Sequence, residues 1–510
     1  MQRELKNKKI LFVLQRNWAV KHGFEIIKKL KNEGSLISTI TFKKSIESFV
    51  NFQNEIKFEE ILSENYIEQN YLKILEETGY NEKKFLIDFN VKSLWEFIHT
   101  LRGKATSYKD KFPFSYNQNL DDKHLKSYIL AFASKLLDLF NKFTPDLIIL
   151  YNYGDLRHHL VAQLSKNKKI PLFFMNDTKI KNISAFFYDL NCEKSFFHTQ
   201  VENYLNGKKK PRNLDKARNY INENRKKIQT PINIKNVNFN IKLFNLEDEK
   251  DLLKKIIRKI KVSHEVLDES ERISFFRMFE NYFFKKKNLY DLKNYQFDHL
   301  DQIENFVYLP LQHEPEAMLG MCNPVFDNQL ETAKIIARNL PNNYTLVVKN
   351  HPFKYFFRSK KYLDKFKNCP NVKVVDHRLS NEIIYKNMKL LISFSGTSIF
   401  EAAILKKPAI QIGNLKSMKY LPNIFYLEQL EKIDELIKNI ETNFSNFTKT
   451  NEYDLKLEYY ISAAYDIGFN FEKYEDDLRK NKESLNYIWE IYFKEIRKVF
   501  LLRENFNYNF

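Results

Sequence analysis

The stretch Lys389 to Asn414, KLLISFSGTSIFEAAILKKPAIQIGN, limits the folds open to this chain more than any other. Leu390 to Phe394 is an apolar run with the length and composition of a buried strand. Ser395-Gly396-Thr397-Ser398 follows at once, Ile399 to Leu405 reads as a helix, and Ala409 to Ile412 is a second apolar run after Pro408. Strand, small-residue turn, helix and strand together make the repeating unit of a parallel sheet. Small residues at such a turn let a ligand approach the backbone, and unpaired N–H groups at the helix start attract phosphate. The turn is therefore expected to hold a nucleotide phosphate. The plainer reading is an ordinary strand–helix turn capped by Thr397 or Ser398. The spacing is neither a Walker loop, since no Gly-Lys-Ser/Thr follows, nor GxGxxG.

The rhythm extends upstream. Phe306 to Leu311, Tyr344 to Lys349 and Val372 to Val375 read as strands, separated by amphipathic helices at Asp327 to Leu340, Lys354 to Lys367 and Leu379 to Lys386. This predicts a doubly wound unit over about 305 to 450. Three strand ends carry unusual polar groups: QHEPE after Leu311, KNHP after Val348 and SGTS after Phe394. Loops at the carboxyl ends of parallel strands share one edge of the sheet, so these three are expected to converge. Lys349 and His351 supply cationic or donor groups suited to a phosphate leaving group. Ser395, Thr397 and Ser398 add hydroxyls and, with Gly396, backbone donors. Glu401, one turn into the helix, can accept from sugar hydroxyls, while Gln312, Glu314 and Glu316 offer contacts for a sugar or base.

The first half opens in the same way. Lys9 to Gln15 reads as a strand, a loop at Gly23 leads into a helix ending near Gly34, and Leu36 to Phe42 is a second strand. A long helical, aromatic insertion follows, before strands at Asp146 to Tyr151 and Ile170 to Met175. The latter ends in Asn176-Asp177-Thr178, and Asp189 lies a little further on. Either Asp177 or Asp189 is expected to be a catalytic carboxylate on that rim. The alternative for each is a turn or cap aspartate. Residues 203–304 lose the alternation and read as a helical connecting region with lysine clusters at 208–210 and 285–287. Residues 451–510 read as helices returning over the body, and the apolar stripe in Leu485 to Leu502 is expected to pack on it, with peripheral membrane docking as the alternative. The expected domains are thus 1–202, 203–304, 305–450 and 451–510.

At 510 residues and 15% aromatic content the chain suits two or three packed domains and is not disordered. A formal charge of +19 points to an anionic partner, such as a phosphate-bearing ligand or the inner face of a membrane. No RNA-recognition signature accompanies the charge, so nucleic acid is not the expected partner. Cys192, Cys322 and Cys369 are odd in number and widely spaced, which suggests a reducing compartment. Neither a signal segment nor a spanning apolar run is evident. The expectation is a cytoplasmic protein, with peripheral attachment to the inner membrane left open. His158 and His159 are adjacent on a helix and point ~100° apart, so no metal site is expected.

The run LPLQHEPEAM…LVVKNHP…LISFSGTSIFEAAILKKPAI resembles bacterial capsular polysaccharide proteins of the group containing the capsule β-Kdo transferases, within the GT-B glycosyltransferases. The match covers about residues 305 to 415; the first half is similar only in rhythm. The resemblance implies a GT-B-like α/β fold of two doubly wound parallel-sheet domains, a helical connecting region and a helical C-terminal return. It implies a nucleotide-sugar donor, CMP-linked for preference, as co-substrate with no cofactor, and a glycan or lipid-linked acceptor. His351, Ser395, Thr397 and Ser398 would then contact the nucleotide, and Asp177 or Asp189 would serve the chemistry. The first-half acidic motif of such enzymes includes a nearby glycine, which neither Asp177 nor Asp189 has. The same pattern is similar to glycerophosphate transferases using CDP-glycerol, and less so to non-hydrolysing nucleotide-sugar epimerases. A basic scaffold or nucleic-acid-binding protein that kept the fold without activity is the alternative from another class.

Overall fold

In the computed structural model the described residues are 5–101, 120–229, 246–261, 274–313, 317–320, 322–352, 355–427 and 429–505. They build two sheets. The second is the simpler. Its strands are β7 (Phe306–Pro310), β8 (Thr345–Lys349), β9 (Val372–Val375), β10 (Leu390–Ser393), β11 (Ala409–Ile412) and β12 (Ile424–Leu427). They lie in the order β12-β11-β10-β7-β8-β9, and every pairing is parallel. Counting from β7 as the first strand, that is the 3-2-1-4-5-6 arrangement of a doubly wound sheet, with its direction of winding reversed between β7 and β10. Helices on both faces explain why strands such as LLIS and AIQI are buried at every position.

The first sheet repeats this plan with an addition. β1 (Lys9–Leu14), β2 (Leu36–Thr41), β3 (Ile61–Ser63), β4 (Leu147–Ile149) and β5 (Leu172–Asp177) are parallel, in the order β3-β2-β1-β4-β5. β6 (Ile183–Phe187) then turns back antiparallel on β5, and β13 (Phe469–Asn470) pairs antiparallel with β6. The expected wholly parallel sheet is therefore mixed at one edge. The β5–β6 connection is too short to carry a crossover helix, so it can only be a hairpin. Gly23 is likewise not in a loop. It ends a π-helical turn, Ala19–Gly23, where a side chain would strike Trp18 and Leu14.

The C-terminal return crosses both units. In the helix Asn451–Ile467, the Tyr453 hydroxyl donates to the Ala403 carbonyl at 2.8 Å, and the Tyr460 hydroxyl reaches the Thr178 carbonyl at 3.2 Å and that of Ser417 at 3.4 Å. The helix Lys482–Asn505 then buries Ile488, Tyr492, Ile496 and Val499 in the core of the first unit. Its apolar stripe thus packs on the body. In the chain, β6 is followed by the helices Leu214–Gln229, Leu246–Lys261 and Phe275–Lys293 before β7.

Candidate active site

The reversal between β7 and β10 opens a crevice at the carboxyl ends of those strands, and the loops that follow them are tied across it. The Gln312 side chain donates to the Ser395 carbonyl at 3.4 Å. Gln329, fully buried, accepts from the Gln312 N–H at 2.7 Å and donates to its carbonyl at 3.2 Å. The first sheet uses the same device: Gln15, just after β1, donates to the side chain of Asn152, just after β4. Gln312 is consequently engaged in holding the rim. Glu314 and Glu316 lie outside the described residues.

Gly396 ends the β10 turn at φ 112°, a conformation that a side chain would strain, and forms the N-cap of the helix Thr397–Ile404. No side chain caps that helix start, which leaves its first N–H groups without a side-chain partner. Thr397 is exposed there, whereas Ser395 and Ser398 are buried. Of the four turn residues, Gly396 and Thr397 present themselves to a ligand.

The KNHP loop reaches the same rim. The ring of His351 lies 6.0 Å from that of His313, the residue after Gln312, with 29° between their planes. Arg358 fastens the two loops from behind, donating to the Asn350 side chain at 2.7 Å and to the Gln312 carbonyl at 2.6 Å. The three loops bearing Gln312, His351 and Thr397 therefore meet along one edge.

Lys349 and Glu401 are placed otherwise than expected. Lys349 is 4% exposed, and its ammonium donates to the Leu379 carbonyl at 2.9 Å and to the Asn381 side chain. Burial pulls it down to about 8, against the opposing pull of Glu401 and Asp376. Glu401 accepts from the Tyr385 hydroxyl at 2.7 Å, and burial pushes its carboxyl up. A side chain at the last position of a parallel strand points into a face covered by helices as readily as toward the rim. Lys349 and Glu401 therefore support the crevice floor instead of meeting a phosphate or a sugar.

On the first sheet, Asp177 ends β5 and is half exposed; its carboxylate lies 3.1 Å from the Lys179 ammonium and accepts a single turn amide, the Lys179 N–H, at 2.7 Å. Asp189 differs. Its carboxylate accepts the backbone N–H groups of Asn191 at 3.0 Å, Glu193 at 3.0 Å and Lys194 at 2.6 Å, so it closes its own loop. Burial pushes its pKa up and those amides pull it down. A cleft of about 540 Å³ runs between the units, lined by Asp177, Asn152, Lys179 and Lys181 from the first and by Thr397 from the second. Tyr220, from the helix Leu214–Gln229, stands on its wall and accepts from the Lys181 N–H at 3.4 Å.

The seam behind the cleft is close-fitting. His198 places Nδ1 3.0 Å from the Glu193 carbonyl and Nε2 3.0 Å from that of Ser417, and the Lys416 N–H donates to the Asn191 carbonyl at 2.7 Å. Among the described residues no group of three or more His, Cys, Asp or Glu could hold a metal ion. Sequence reading missed Asn152, Gln329 and Arg358. Asn152 was open to the strand-end rule already applied to Asp177. Arg358 follows an aromatic run with no periodic signal.

No family model matches the chain, and no curated protein matches it in sequence. Among solved structures, UDP-GlcNAc 2-epimerase from Neisseria meningitidis is similar at 14% identity, over 90% of this chain and 98% of that one, with a TM-score of 0.26. The KpsC β-Kdo 2,7 transferase of Thermosulfurimonas dismutans is similar at 14% identity over 73% and 87%, with a TM-score of 0.32. A glycosyltransferase from Rickettsia africae is similar at 13% over 97% and 99%, with a TM-score of 0.24. Scores this low do not carry a neighbour's activity to this chain.

Proposed function

We propose that this protein is a GT-B-type glycosyltransferase that moves a sugar from a nucleotide donor, preferably CMP-linked, to a growing surface polysaccharide or a lipid-linked glycan. The observation that supports this most is the shared cleft. A half-exposed carboxylate, Asp177, and Thr397, the first residue of a helix with no side-chain cap, line one cavity from opposite sheets. The helix start suits the donor phosphate, since aligned backbone donors stabilise the charge that grows on it as the glycosidic bond breaks. His351, on the same rim, is assigned to that phosphate as a donor. Asp177 is assigned to the acceptor hydroxyl, accepting its proton as the oxygen attacks the anomeric carbon. With these groups in place the reaction is assigned without a metal ion, and the protein to the cytoplasmic side, where nucleotide donors are made.

Incubating the purified chain with CMP-, UDP- and GDP-sugars, and separately with CDP-glycerol, tests this reading. Transfer of a sugar with release of the free nucleotide supports it, and His351→Ala is expected to abolish that transfer while leaving the fold intact. Phosphate retained on the acceptor would indicate the glycerophosphate reaction instead. Unchanged turnover in His351→Ala would remove His351 from the site.

A further inference from the structure

Two of the connecting helices turn apolar side chains to solvent. In Leu246–Lys261 the packed stripe includes Glu249, which accepts from Lys286 at 2.8 Å, and Lys259, whose ammonium lies 5.0 Å from the centre of the Phe275 ring. Beside it Leu253, Ile257 and Ile260 are 57%, 49% and 71% exposed, at the i, i+4, i+7 spacing of a single helix face. In Phe275–Lys293 the inward stripe is Met278, Leu289 and Leu292, the last two joining Leu363 in a small core. Phe276, Phe279 and Phe283 point outward at i, i+3, i+7 and are 79%, 44% and 65% exposed. Single exposed apolar residues are ordinary, but two neighbouring stripes of them mark an interaction surface.

The charge beside these stripes says what covers them. Residues 252–261, LLKKIIRKIK, carry five cations and no acidic residue, and Lys285-Lys286-Lys287 runs through the second helix. Lys254, Lys261 and Lys287 are exposed. A second copy packed face to face would set these cations against their own equivalents. An anionic bilayer complements both features, since apolar side chains enter the headgroup boundary while lysines meet lipid phosphates. Among the described residues no helix is long and apolar enough to cross a membrane, so the fit is to its surface. We propose that this helix pair seats the protein on an anionic lipid bilayer. The inference does not rest on the transfer reading, because binding is measured with no donor present.

The test is cosedimentation of the full chain with vesicles of phosphatidylcholine alone and of phosphatidylcholine mixed with phosphatidylglycerol. Binding to the mixed vesicles is expected to be at least about tenfold stronger, and to weaken as salt is added. Phe276→Ser with Phe283→Ser is expected to lower it about tenfold or more without changing the melting temperature. Lys254→Gln with Lys261→Gln and Lys287→Gln should lower it comparably, and decides the matter if the phenylalanine variant folds poorly. Equal binding to both vesicle types, or binding that survives both variants, would overturn the proposal. So would a dimer in solution that Phe276→Ser with Phe283→Ser dissolves, which would assign the face to a second copy.

Discussion

The carboxylate of Asp177 lines the cleft half exposed, accepting the Lys179 N–H at 2.7 Å and pairing with its ammonium at 3.1 Å, whereas that of Asp189 accepts three backbone N–H groups of its own loop. Asp177→Asn is therefore expected to slow transfer by about 100-fold or more, the usual worth of a positioned base, with nucleotide binding unchanged in a thermal-shift titration. Asp189→Asn should instead cost about 1–2 kcal/mol in urea unfolding and keep its turnover, because it loses charge-assisted loop bonds. The opposite pair of phenotypes would exchange the two roles. Both residues read alike in the sequence, since an aspartate after a strand marks the rim without saying where its oxygens point. Lys349 shows the same gap. Its position at a strand end was legible, but its inward turn depends on Asn381 and the Leu379 carbonyl, which only the folded chain brings to it.

At the scale of elements, apolar runs located most of the sheet strands to within a residue or two. β10 and β11 were plain because a parallel strand buried on both faces reads as a near-continuous apolar run, and β8 and the edge strand β9 still carry the apolar cores LVV and VKVV. β3, which lies in the stretch read as a helical insertion, and β12 were not, nor were β6 and β13, the last two for opposite reasons. β6 sits in a hairpin beside the turn residues that drew attention to Asp177, and β13 is two residues long in an otherwise helical region. The step from helix to β13 depends on Gly468, where a Cβ would come within 2.5 Å of the Ala464 carbonyl and of Ile183. Gly468→Ala is expected to destabilise the chain by about 1–3 kcal/mol and to open the C-terminal return to proteolysis. Wild-type stability with unchanged protease resistance would contradict that. The turn at Gly396 has room for a side chain but not the backbone for one, so Gly396→Ala should cost about 1–3 kcal/mol and weaken nucleotide binding together.

Across the whole molecule, buried histidines make the seam and the second unit sensitive to acid. Burial pulls His198 and His377 each down to about 4, from an ordinary value of 6.5. Between those values the unfolded chain binds more protons than the folded one, so this contribution is present above about pH 6.5 and is lost as pH falls toward 4. His198→Gln should flatten the loss of melting temperature over that window relative to the wild type, and an unaltered slope would remove His198 as its source. The two α/β sheets were legible from the alternation of apolar strands and amphipathic helices, and the helical stretches after each from its loss. The meeting of the two sheets at one cleft was not, because it is set by contacts such as those of Tyr460 and His198 between residues far apart in the chain.

Sugar transfer as proposed requires that cleft to hold a nucleotide's phosphate between the Gly396 turn and the Asp177 rim. The most direct measurement is the melting temperature titrated with CMP, CDP, UDP and GDP, for the wild type and for His351→Ala. At a ligand concentration 100 times its Kd, a nucleotide bound only by the folded chain adds about 2.7 kcal/mol. One of the four is predicted to raise the wild-type melting temperature, and His351→Ala to shrink that rise. No rise with any of them, or an equal rise in both proteins, would contradict it.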